Sequence, residues 1–321
     1  MTNGITSGGP KWTLTPRQGL LQDAIDLELW TIPYYLSAMY SIRDPSSDAY
    51  QLIQSVVYQE MLHAQLVCNL ANAFGALPTF TAPVYGGPQI PHLDFRLDTP
   101  DPTQFFTPYS TDIGPLDLER INAMCLIEYP QWPSPPRQLG ALEDRTEYGS
   151  IGAFYAAIRI GVTELRDQLR GGVRQVDYFG AYYNNLSTTT ITKDGMEGYR
   201  QAIELLDAIV DQGEGKTQGD TDVPKAYQNT ADGFNDSWPH YRKFVHIRNM
   251  PPYPATFVAD REPSPAGLKA QQILVRDFAE FIDMMNDMFQ GKPYQGFGAL
   301  MAKLGGEILS CWQHNAVPKF S

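Results

Sequence analysis

The feature that most constrains this chain is a set of ionisable residues lying on stripes that otherwise read as buried. From Leu21 the apolar positions run Leu21, Ile25, Ile32, Tyr35 and Met39 in steps that keep one helical face, and Glu28 falls in the middle of that face. A second stripe carries Ile53, Val56, Val67, Leu70 and Phe74, with Glu60 and His63 among them, and it stops at Gly75 with Pro78 beyond. Taking a carboxylate out of water without a cation or hydrogen bonds is costly, so acids on core-facing stripes need a shared partner. Glu60 and His63, three apart, are adjacent on one helix face, and a turn of about six residues makes the two helices antiparallel neighbours. Glu28 then meets Glu60 near mid-height of the pair. A metal ion answers all three residues at once, whereas an arginine on Glu60 and an ordinary core histidine at His63 would leave Glu28 unexplained.

Pro33, five residues past Glu28, removes a backbone donor and is expected to bend or bulge the first helix beside this cluster. The rest of the chain alternates helix-period segments with Pro-rich stretches. Helices are expected over about 16–41, 48–75, 150–170, 196–211 with 237–248, and 264–313, with a loop insertion over about 77–148 that holds one short helix at DLERINAMCLIE. No βαβ alternation and no solenoid-length repeat occurs, so the class is mostly α: a four-helix bundle with additional C-terminal helices and long Pro-rich loops, within a single domain over 1–321.

Composition narrows the function. Lys plus Arg number 24 against 36 for Asp plus Glu, a net charge of -12 that disfavours nucleic acid and anionic membranes as partners. The three cysteines, Cys68, Cys125 and Cys311, form no CxxC and no disulfide framework. With no basic-then-apolar leader at the N-terminus, a soluble, cytoplasmic monomer or dimer is expected. Arg242, Lys243 and Arg248 read as a solvated basic helix face, and His246, six residues after His240, reads as a surface or supporting histidine.

The segments AIDLELWTIPYYLSAMYSI and YQEMLHAQLVCNLANAFGALP resemble the ferritin-like domain of iminophenylpyruvate dimer synthases from violacein- and rebeccamycin-type pathways and of stand-alone relatives. IGAFYAAI, AIVDQGEG and HYRKFVHI resemble later segments of the same family. The resemblance implies a metal-binding helical bundle in which Glu28, Glu60 and His63 match a first half-site, and Glu214 and His240 are the best matches for a second. Relatives carry an acid where this chain has Ala153, so one carboxylate is missing from the pattern. Glu164 lies too far along the helix to replace it, and Glu128 and Glu147 belong to the loop layer, reaching the site only if the backbone brings them there.

An oxygen and nitrogen ligand set suits iron, one or two ions, or manganese. It points to a non-haem metal-dependent oxidase or oxygenase acting with dioxygen on a small, amino-acid-derived or aromatic metabolite of secondary metabolism. The alternatives are a non-catalytic metal-binding bundle and a decayed enzyme retained as a scaffold.

Overall fold

The computed structural model describes residues 14–87, 89–97, 100–130, 147–179, 189–213, 238–259 and 262–321. Eight α-helices account for most of them: α1 Leu14–Ser41, α2 Asp48–Ala73, α3 Leu118–Ile127, α4 Ile151–Glu164, α5 Gly195–Gly213, α6 His240–Arg248, α7 Pro265–Phe289 and α8 Phe297–Gln313. No β-strand occurs among the described residues beyond isolated bridges. The architecture is mostly α, a helical bundle as the sequence suggests.

Four helices close a ring. α1 packs along α2, α2 against α5, α5 against α4, and α4 returns to α1. The stripes explain the first of these contacts, since Leu21, Ile25, Tyr35, Ile53, Val56, Val67 and Leu70 are all at most 1% exposed. α3 and α6 pack together, with α6 also touching α2 and α5, so this pair delivers its residues to the same interior. α7 and α8 pack on each other, α8 resting on α1 and α7 reaching α2. Gly305 lets α8 approach closely, because a Cβ there would collide with the Tyr40 ring and hydroxyl.

Local chemistry sets the helix ends. Gly75 follows α2 at φ 74°, a conformation that suits glycine. The side chains of Asp117, Ser150 and Ser264 accept backbone N–H groups of the first turns of α3, α4 and α7. One sequence-based boundary needs correction. α4 ends at Glu164 and the chain tightens into a 3₁₀ turn over Arg166–Gln168, so one helix does not span 150–170. α1 is described from Leu14 onward. It also continues through Pro33 as hydrogen-bonded helix, and nearby hydroxyls serve the carbonyls of this turn: Tyr85 Oη donates to the Trp30 oxygen at 2.9 Å, and Ser37 Oγ to the Pro33 oxygen at 2.7 Å.

Candidate metal centre

Inside the ring, α1 contributes Glu28 and α2 contributes Glu60 and His63. His240, the first residue of α6, joins them, and so does Glu128, which follows the last turn of α3. None of the five is more than 2% exposed. Glu60, His63 and His240 each place a ligand atom within 4.8 Å of the others. Glu60 Oε1 is central, 2.8 Å from His240 Nδ1 and 4.0 Å from His63 Nδ1. On one side Glu28 Oε2 lies 3.7 Å from His63 Nδ1, and on the other Glu128 Oε2 lies 3.5 Å from His240 Nδ1. The donors therefore sort into two carboxylate–imidazole pairs with a third carboxylate between them.

Hydrogen bonds fix each donor from behind. His63 Nε2 meets Gln212 Oε1 at 2.8 Å, and His240 Nε2 meets Gln59 Oε1 at 3.0 Å. A carboxamide oxygen only accepts, so this orientation of Gln59 and Gln212 calls for a proton on Nε2 of each imidazole. Tyr155 Oη donates to Glu28 Oε1, Tyr35 Oη to Glu128 Oε1 at 2.7 Å, and Thr31 Oγ1 lies 2.9 Å from Glu60 Oε2. The two histidine rings stack at 5.4 Å.

Whether these residues fit a cation is tested by the atoms left over. Glu28 Oε2 and His240 Nδ1 are buried and make no hydrogen bond, even though His240 Nδ1 is only 2.8 Å from Glu60 Oε1. Buried donor atoms left without hydrogen bonds are what a cation site needs. The electrostatics agree. Burial, reinforced by the charges of Glu128 and Glu28, pushes the Glu60 carboxyl well above the ordinary carboxylate range. Burial also pushes Glu28 up and His63 down, but their mutual attraction outweighs it, leaving Glu28 below and His63 above their usual values. A bound cation would offset the cost of holding these carboxylates together in the interior.

Of the residues singled out in the sequence, Glu28, Glu60, His63 and His240 come together here, while Glu214 lies outside the described residues. α4 offers Tyr155 to Glu28, where the family pattern has an acid at 153. Glu128 corrects the sequence reading. It is not a loop-layer acid awaiting a backbone movement, because the end of α3 already holds it at the site; Glu147, in contrast, is exposed. Lys243 is a second correction. It is fully buried behind His240 and is not part of a solvated basic face. His246 is half-buried and meets the Trp238 ring edge-on, away from the centre.

A hollow of about 10 Å³ opens over Glu60, His63 and Glu128 between Ile151, Gly152 and Tyr155 of α4 and Ile209, Val210 and Gly213 of α5. It has room for about one water-sized molecule.

The ferritin-like family model matches residues 21–249. The chain belongs to the ferritin-like family. A solved crystal structure of a ferritin-like protein from Caulobacter vibrioides is 49% identical, with a TM-score of 0.85 over 97% of this chain and 100% of that one. No curated protein matches. No described helix of this ferritin-like chain is long and apolar enough to cross a membrane.

Proposed function

We propose that this ferritin-like protein is a non-haem metal-dependent oxidoreductase, with iron as the preferred metal and manganese as the alternative. It would use dioxygen to oxidise a small, amino-acid-derived or aromatic metabolite. The observation that carries the proposal is the pairing of Glu28 with His63 and of Glu128 with His240 about Glu60, with Glu28 Oε2 and His240 Nδ1 buried and unsatisfied. That donor count would suit two ions, Glu28 and His63 holding one, Glu128 and His240 the other, with Glu60 available to either. Glu214 remains a candidate sixth donor from the segment after α5. The substrate class rests on the resemblance to iminophenylpyruvate dimer synthases.

When bound, the metal supplies redox and Lewis-acid chemistry toward dioxygen. The protein's own residues do the rest. Gln59 and Gln212 hold protons on the Nε2 atoms and turn both Nδ1 atoms inward. Tyr155 and Tyr35 orient the outer carboxylates and keep a phenolic proton beside each. The hollow between α4 and α5 opens on the Glu60–His63–Glu128 face, and its apolar walls Ile151, Ile209 and Val210 limit water there. Glu128 restores a carboxylate to the set despite Ala153, which favours a working centre over a decayed one.

The test is anaerobic loading with ferrous iron, counting ions per chain, followed by exposure to air with and without candidate aromatic amino-acid-derived substrates. Retained iron, an absorbance change on oxygenation and substrate turnover are expected. The proposal fails if iron stays at background and neither Glu60→Ala nor His63→Ala alters that. A sizing column separates it from storage, since a cage would elute far above a monomer or dimer.

A further inference from the structure

Lys243 is 0% exposed, an unusual place for a side chain that normally keeps its ammonium in water. It lies on α6 one turn after His240, on the face shared with Phe244 and Ile247 that the helix buries. Its Nζ donates to Ser55 Oγ at 2.7 Å and to Gln59 Oε1 at 3.4 Å. That same Gln59 oxygen accepts the Nε2 proton of His240 at 3.0 Å. One carboxamide oxygen is therefore held between an ammonium and an imidazole, both from the first turn of α6 and both facing α2.

A glutamine side chain is close to symmetric in shape, and rotating it by half a turn exchanges its oxygen for its NH2. The two orientations have opposite consequences for His240. With the oxygen toward the ring, Nε2 keeps the proton and Nδ1 presents a lone pair to Glu60 and Glu128. With the NH2 toward the ring, Nε2 must accept, the proton moves to Nδ1, and that nitrogen can no longer bind a cation. An ammonium beside Gln59 decides between them, because it attracts the oxygen and repels the NH2.

We propose that Lys243 is a positioning residue that locks the Gln59 carboxamide, and through it the His240 tautomer, in the cation-binding form. The inference deepens the two-ion reading given above and rests on it for its functional meaning, but the tautomer itself is a property of the metal-free protein. His63 provides an internal comparison, since its acceptor is Gln212 from α5. Lys243 touches neither the donor atoms nor any reacting group; it acts through Gln59.

The test uses the full chain labelled with ¹⁵N-histidine, together with a manganese(II) titration. In the metal-free native protein both His240 and His63 are expected to be protonated at Nε2. Lys243→Met is expected to shift His240 toward the Nδ1-protonated form, leave His63 unchanged, and weaken one of two manganese sites by about 10- to 100-fold. A carboxylate can only accept, so adding Gln59→Glu to Lys243→Met is expected to restore Nε2 protonation and the weakened site. The inference is overturned if native His240 is protonated at Nδ1, a result that needs no variant to fold. It is equally overturned if Lys243→Met keeps the native tautomer, or if Gln59→Glu does not repair the loss, which would mark Lys243 as packing only. A native protein that binds no manganese yet shows the tautomer shift in Lys243→Met would sink the metal-centre reading and leave the positioning role standing.

Discussion

Among the described residues, two of the places that bury a carboxylate almost completely solve the problem differently. At the interface of α7 and α8, Asp277 is 1% exposed and has cations of its own: Arg276 Nε at 2.6 Å and Lys303 Nζ at 2.5 Å, with Glu307 beside Lys303 at 3.7 Å. These contacts hold Asp277 far below the ordinary carboxylate range, the Arg276 hydrogen bond being the largest influence. In the α1–α2–α5–α4 ring, three carboxylates meet two imidazoles, Glu60 is pushed upward by its burial, and two ligand-type atoms find no hydrogen bond. The first cluster carries its own arginine and lysine, even though Asp277 Oδ2 and Glu307 Oε2 also make no hydrogen bond. The second is complete only with something positive added to it, and that difference separates a structural ion pair from a binding centre more reliably than burial alone.

The largest effect that would test the contrast is cation-dependent stability. Ferrous or manganous ion in thousandfold excess over its dissociation constant should stabilise the native protein by about 4 kcal/mol. Melting curves with and without chelator should show that gain, and Glu60→Ala should abolish it without lowering the melting temperature of the metal-free protein. A metal-free Glu60→Ala protein much less stable than the native one would place Glu60 with Asp277, as a structural acid.

Asp277→Ala should do the reverse, costing about 1–2 kcal/mol in chemical denaturation with no change in ions bound per chain. The cost stays below that of a fully buried pair because the side chains of Arg276 and Lys303 are 67% and 50% exposed and can return to water.

A smaller effect is expected from pH. Burial, and then Asp277, raise the Glu307 carboxyl to about 7. Between the ordinary carboxylate range and that value the folded protein holds a proton that the unfolded chain has released, so this group makes stability fall as pH rises toward 7. The depressed Asp277 contributes stability above the usual carboxylate range and does not titrate in this window. Glu307→Gln should therefore flatten the decline and raise stability at pH 8 by about 1 kcal/mol, allowing for solvent screening. Melting temperatures at several pH values would check it, and an unchanged slope would reject Glu307 as its source.

Within the centre, the legibility of each donor in the sequence followed its distance along the chain. Glu28, Glu60 and His63 stand on neighbouring helices with clean periodicity, so the depth of each could be read from spacing. His240 entered only through the family resemblance, because α6 is nine residues long and follows a stretch without period. Glu128 was misjudged because it sits just past the end of a ten-residue helix inside a Pro-rich region, where no pattern fixes which way the chain turns. A trace of it was present all the same: the run Ala123–Ile127 is wholly buried and the acid follows without a break. Lys243 was misread by a general expectation about lysine, although His240, Lys243, Phe244 and Ile247 have the spacing of one buried helix face. The Asp277 network gave no comparable signal, since exposed arginine and lysine neighbours on α7 and α8 look like ordinary surface residues.

The two halves of the centre also differ in when they can exist. Glu28 and His63 belong to a hairpin finished by residue 73, whereas His240 comes more than a hundred positions after Glu128 and meets it only once α6 docks on α3. During synthesis the first carboxylate–imidazole pair can close while most of the polypeptide is still unmade, and the second waits for α6 to dock. A centre assembled in that sequence acquires its full ligand set only when the distant ends of the fold have met, so its completion reports that the chain has reached its native arrangement.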